Sequence, residues 1–141
     1  MPKFVVAVDG SECSMRAVSH AAKLAASSGA DSQVHLVNVQ YPVHGTVASF
    51  VSAAQIKDMH QEEGMKALAA ARQLLDAQKA TYEYHLFVGE PAEVVTRYAK
   101  EQGCDEIIIG TRGLSNLSNM LIGSVATKII HQASVPVTLI K

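Results

Sequence analysis

The chain has 141 residues, 48% of them apolar and 18% charged, and a formal net charge of −1. A chain of this size and composition buries a core without staples and is neither disordered nor fibrous. With no two basic residues adjacent and no basic excess, the charge balance argues weakly against nucleic acid or anionic membrane as the main partner, and neither is expected. Cys13 and Cys104 lie far apart with no CxxC spacing and read as reduced packing thiols. The six histidines are scattered, with no HExxH or H-x3-H pair, so no metal centre is expected from them. Met1-Pro2-Lys3 leads into a short apolar run that stops at Asp9, not into a secretory signal, and no stretch approaches the ~20 apolar residues of a membrane span. A cytoplasmic protein is expected.

In chain order, Phe4–Val8 is a continuous apolar run and predicts a strand buried on both faces. Asp9-Gly10-Ser11 is a turn signal. Glu12 to Ser28 carries Ala17, Val18, Ala21, Leu24 and Ala25 at helical spacing, with Gly29 as its stop. Val34–Val39 predicts the second strand. Tyr41–Phe50, with Pro42 and Gly45, reads as a loop. From Val51 to Gln78 the period is helical again, with Leu68, Ala71 and Leu75 on one face, and Gly64 predicts a bend or fray within it. Tyr82–Val88 predicts the third strand.

Gly89-Glu90-Pro91 opens a third helix that ends near Gly103. Asp105–Ile109 is the fourth strand, a helix runs to about Gln132 after a glycine loop, and Val135–Ile140 is the fifth strand. Five strands alternating with four helices, joined by right-handed crossovers, give an α/β doubly wound three-layer sandwich, read as a single domain over residues 1–141. Ligands of such folds sit at the carboxyl ends of the strands, at the topological switch point. Asp9 follows strand one and Gly110 follows strand four.

The motif with most chemical content is Gly110-x2-Gly113-x9-Gly123-Ser124, which follows the run Ile107-Ile108-Ile109. Glycine lets backbone N–H groups approach an anion with no side chain in the way. A helix starting at Gly123-Ser124 adds unpaired N–H donors and the positive end of its dipole. The spacing is neither a Walker A loop nor GxGxxG. Ser124 reads either as an ordinary N-cap or as a phosphate donor. Asp9 reads either as an Asx-turn and cap or as a ligand group that accepts from a ribose hydroxyl or holds Mg²⁺. Between the glycines, Ser115, Asn116, Ser118 and Asn119 supply polar groups, and Arg112 is the cation nearest them.

This long motif, with Val6-Ala7-Val8-Asp9-Gly10-Ser11 at the front and Val135-Pro136-Val137 at the close, resembles the nucleotide-binding branch of the universal stress protein family over the whole chain. The resemblance implies an adenine nucleotide alpha hydrolase-like sheet of order 3-2-1-4-5 and an ATP site. It implies that Asp9 lies beside the nucleotide, that Val39 contacts adenine, and that Gly110, Gly113, Gly123 and Ser124 hold ribose and phosphates. Ile109 and Val125 match positions lining the site. With Ala7, Val8 and Ser11 of the front motif and Arg112, these form the candidate binding set. Asp9 is the candidate ligand for the Mg²⁺ of the nucleotide.

Phosphoryl transfer needs a placed nucleophile, charge neutralisation and a base. The sequence offers the cradle and one metal ligand but no evident base. The expected function is therefore a cytoplasmic stress-response or signalling module that binds ATP, or ADP or AMP. The alternatives are a slow ATPase or phosphotransferase, and an interaction module that binds no nucleotide. The near absence of aromatic residues argues against a flavin domain of the same fold class. The last strand, residues 135–140, is apolar on both faces, and in the 3-2-1-4-5 order it is an edge, so a homodimer through it is expected.

Overall fold

The computed structural model describes residues 2–113 and 122–141. Its elements are β1 (Lys3–Ala7), α1 (Glu12–Ser27), β2 (Gln33–Gln40), α2 (Thr46–Phe50), α3 (Ala53–Ala77), β3 (Tyr82–Val88), α4 (Pro91–Glu101), β4 (Glu106–Gly110), α5 (Ser124–Gln132) and β5 (Val137–Ile140). The strands form one sheet of order β3-β2-β1-β4-β5, every pair parallel. Val6 pairs with Leu36 on one side and with Ile108 on the other.

The apolar strand runs are explained by burial on both faces of the sheet. Val6, Leu36 and Ile108 point to one face and pack with Val18 and Ala21 of α1 and Leu68 and Leu75 of α3. Their neighbours Val5, Val37 and Ile107 point to the other, against Val95 of α4 and Ile129 of α5. Period-two alternation thus feeds two cores, and a central strand has no polar face left to show. Cys13 and Cys104 are buried free thiols, as expected of packing residues.

The helices depart from expectation at two places. The segment read as a loop contains α2, a fifth helix among the described residues. It has five residues, no side-chain cap and no buried residue, so no apolar period announces it. Gly64 does not fray α3, which runs unbroken from Ala53 to Ala77. Gly64 is buried because the helix backbone there lies against the Leu86 side chain of β3 and near Asn38 of β2. The close approach of helix to sheet is what requires a residue without a Cβ. The start of α3 is fixed instead by a capping box, in which Ser52 and Gln55 bond each other's backbone N–H. At the far edge, β5 begins at Val137, two residues later than its apolar pattern does.

Candidate functional site

The connection from β1 leaves through α1 on one face of the sheet, while β4 is entered from α4 on the other. The chain therefore diverges at the carboxyl ends of β1 and β4, and a cleft opens there. It holds about 410 Å³, within the range of small-ligand sites. Its walls come from Ala7, Val8 and Asp9 after β1, the end of β2 from Val37 to Tyr41, Pro91 and Val95 of α4, Ile109 to Gly113 after β4, and Gly123 to Ala126 at the start of α5, with Ser14 of α1.

Asp9 sits at the switch point, half-buried. Its Oδ1 accepts from the Ser11 N–H at 2.9 Å, an Asx-turn that fixes the carboxylate. Its Oδ2 faces Gly113, where a Cβ would stand 2.6 Å from that oxygen. Gly113 therefore leaves the second carboxylate oxygen room at the cleft. Ser11, by contrast, is not on the cleft wall. It is the N-cap of α1, its Oγ accepting from the Ser14 N–H at 3.1 Å.

The other two motif glycines have different neighbours. A Cβ on Gly110 would lie 2.7 Å from Cys13 Sγ and 3.0 Å from the Cys13 carbonyl carbon, so glycine there lets α1 pack against the end of β4. Gly123 is the N-cap of α5, with extended backbone at φ −70° and ψ 167° and no side-chain cap. Its N–H donates to the Thr111 carbonyl at 2.5 Å, which closes the loop on itself. Ser124 is thus the first helical residue and not the N-cap. It is exposed and lines the cleft with Val125 and Ala126. The first N–H groups of α5, which have no intrahelical acceptors, open at this wall.

Two polar residues that sequence spacing does not single out order the rest. Asn38, buried at the end of β2, donates Nδ2–H to the Val8 carbonyl at 2.7 Å and accepts from Gln40 Nε2 at 2.7 Å. Thr111 is buried, and its N–H donates to the Ile140 carbonyl at 2.7 Å, which ties the cleft loop to the end of β5. Pro91 and Val95 reach the cleft from α4, and only the packing of that helix brings them there. Their signals in the sequence are those of an ordinary helix start and core.

All the candidate residues except Ser11 line this one cleft. The segment with Ser115, Asn116, Ser118 and Asn119 lies outside the described residues. On the described wall Asp9 and Arg112 are the charged side chains. Val37, Val39, Val95, Ile109 and Val125 form an apolar part, and the α5 N-terminus with Gly113, Arg112 and Asp9 forms a polar one. The arrangement suits a molecule with a flat apolar body and an anionic tail, with Asp9 between them for a hydroxyl or a cation.

A model of the universal stress protein family matches residues 1–141. The chain is 30% identical over 145 residues to universal stress protein YxiE of Bacillus subtilis, covering 99% of this chain and 98% of YxiE. Among solved structures, the universal stress protein from Archaeoglobus fulgidus in complex with dAMP is 28% identical, with a TM-score of 0.67 over 100% of this chain and 98% of that one. A universal stress protein in complex with cAMP is 27% identical, with a TM-score of 0.74 over 99% and 97% of the two chains. The match along the entire length, together with the shared sheet, shows that the chain belongs to the universal stress protein family.

Proposed function

We propose that this chain is a cytoplasmic stress-response protein that binds an adenine nucleotide, ATP with Mg²⁺, in the cleft at the carboxyl ends of β1 and β4, and works as a homodimer. The observation that carries the reading is the α5 N-terminus, capped by no described side chain, on the wall of a cleft that also holds a carboxylate and an apolar part. The dAMP and cAMP complexes of its relatives support the adenine assignment.

In this reading the adenine lies among Val39, Ile109 and Val125, in the part of the cleft bounded by the ends of β2 and β4. The ribose lies by Asp9. The phosphates lie on the N–H groups of Gly113, Ser124 and Val125, with Arg112 neutralising part of their charge. Among the described residues Asp9 Oδ2 accepts no hydrogen bond. One carboxylate plus nucleotide phosphates is a usual set for Mg²⁺, so Asp9 fits that ion, which would shield the phosphates from its charge. The described wall carries neither a lysine nor a second carboxylate, so the reading is of binding, with hydrolysis slow at most.

Only the native state assembles the cleft, so nucleotide should raise the melting temperature by mass action, worth about 2.7 kcal/mol at a hundredfold excess over Kd. Millimolar ATP–Mg²⁺ is expected to give that shift, and no shift overturns the reading. Gly123 has a backbone conformation open to any residue, but a Cβ there would stand 3.3 Å from the Thr111 carbonyl oxygen, so Gly123→Val is compared with its own melting temperature without nucleotide. Its side chain at the head of α5 should abolish the nucleotide shift. A variant that keeps full affinity shows that the phosphates lie elsewhere.

A further inference from the structure

On the α4 side of the sheet, away from the strand ends, β2 and β3 bring three metal-ligating side chains together. The register pairs His35 with Glu83 and Val37 with His85, so His35, Glu83 and His85 share a face. One ligand atom from each lies within 4.8 Å of the other two. We propose that His35, Glu83 and His85 bind one divalent transition-metal ion of the zinc class at this sheet edge.

The contacts of the His35 ring fix its direction toward the other two groups. His35 is 2% exposed, and its Nε2 lies 3.2 Å from Gln33 Oε1, a contact that a proton on Nε2 satisfies while leaving Nδ1 as the ligating atom. Nδ1 lies 2.7 Å from the Tyr98 hydroxyl. Glu83 Oε2 stands 3.3 Å from that same Nδ1. A carboxylate oxygen and a ring nitrogen thus stand side by side, both of them groups that ligate a cation. A cation between the two groups would be coordinated by both, with the Tyr98 hydroxyl giving up its contact to Nδ1.

The surroundings fit as well. A ring N–H given to a side-chain carbonyl is a common support for a metal-binding histidine. His85 lies against the Tyr98 and Phe87 rings, with centroids 5.4 and 6.0 Å away, and these hold it beside the pair. Glu83 is 58% exposed and gives the ion a path in from solvent. Two imidazoles and one carboxylate select zinc-like ions over Mg²⁺ or Ca²⁺, and a water or the Tyr98 hydroxyl completes four-coordination. Bound there, the ion fastens edge strand β3 to β2.

The test is Zn²⁺ titration of chelator-stripped protein by calorimetry, with Co²⁺ as a spectroscopic stand-in. One Zn²⁺ per chain is expected, with a raised melting temperature and a Co²⁺ absorption band of four-coordinate geometry. Glu83→Gln and His85→Gln change side chains outside the fully buried core and should fold. Each should weaken Zn²⁺ binding at least ~10-fold and remove the Co²⁺ band. Failure to take up stoichiometric Zn²⁺, or uptake that either variant leaves unchanged, overturns the proposal. Neither result depends on nucleotide.

Discussion

Glycine is the residue on which the site turns, and the three motif glycines are not equivalent. At Gly110 an added Cβ would meet both the side chain and the backbone of Cys13. Backbone cannot step aside, so Gly110→Ala should cost about 1–3 kcal/mol of stability in urea unfolding, and trimming Cys13 to alanine should recover only part of it. At Gly113 the obstructing atom is Asp9 Oδ2, the end of a side chain that can turn away. Turning it away strains the Asp9–Ser11 bond, so Gly113→Ala should cost about 1 kcal/mol of stability while displacing the carboxylate and weakening the nucleotide-induced shift. Spacing alone makes both residues look like parts of a phosphate cradle. The difference is illegible in the sequence because the atoms that decide it, on Cys13 and Asp9, lie some hundred residues earlier in the chain. Burial also sets the chemistry of single thiols. It pushes Cys104 up to about 11 from an ordinary 9.0. A folded-state pKa raised above the unfolded value favours folding below the unfolded value, and that advantage is lost as pH climbs toward the folded one. Stability should thus fall between about pH 9 and pH 11. Cys104→Ala should flatten that limb in denaturant titrations across the range, and an unchanged slope would remove Cys104 as its cause.

At the scale of elements, α3 shows tertiary contact overriding helix propensity. Replacing a helical glycine by alanine normally gains about 1 kcal/mol. At Gly64 the new methyl group would strike Leu86 and sit 3.2 Å from Asn38 Oδ1, whose side chain is held between Val8 and Gln40. Gly64→Ala should therefore destabilise by roughly 1–2 kcal/mol, the overpacking cost prevailing over propensity. In a Leu86→Ala background the sign should reverse. A double-mutant cycle by denaturant unfolding reads this coupling, and additive effects would show that Leu86 is not the obstacle. The same contact explains what the sequence concealed. The central strands were legible because strands buried on both faces read as apolar runs, edge strand β3 because Tyr82–Val88 alternates and is β-branched and aromatic, and the 3.6 period gave the helices flanking them. Gly64 looked like a weak point because its partner is on β3, and α2 left no trace because none of its side chains is buried. In the candidate site, Asp9 and the loop glycines were marked by turn chemistry and strand ends. Asn38, Thr111, Pro91 and Val95 were not, because β-register and helix docking bring them to the cleft.

For the molecule as a whole, the open question of shape is what covers the β5 edge. The Ile107 and Thr111 N–H groups donate to the Pro136 and Ile140 carbonyls at 2.9 and 2.7 Å. Along a strand, successive residues turn their backbone groups to opposite sides. Pro136, Thr138 and Ile140 therefore face β4, and Val137 and Leu139 present N–H and C=O outward, with half-buried apolar side chains on both faces of the strand. Such an edge is an unfinished sheet, and a second copy turned by a twofold axis would satisfy both residues of each chain at once. Val137→Pro removes one outward donor while leaving the bonds to β4 in place, and proline is tolerated on a sheet edge. The expected outcome in light scattering at micromolar concentration is a dimer for the wild type and a monomer for the variant. The loop that walls the cleft hangs from the end of β5 through the Thr111–Ile140 bond. That bond is kept in the variant, so its nucleotide-induced melting shift should survive. A wild-type monomer at that concentration would show that the edge stays open, and a variant that loses both dimer and nucleotide shift would show that pairing holds the cleft in shape.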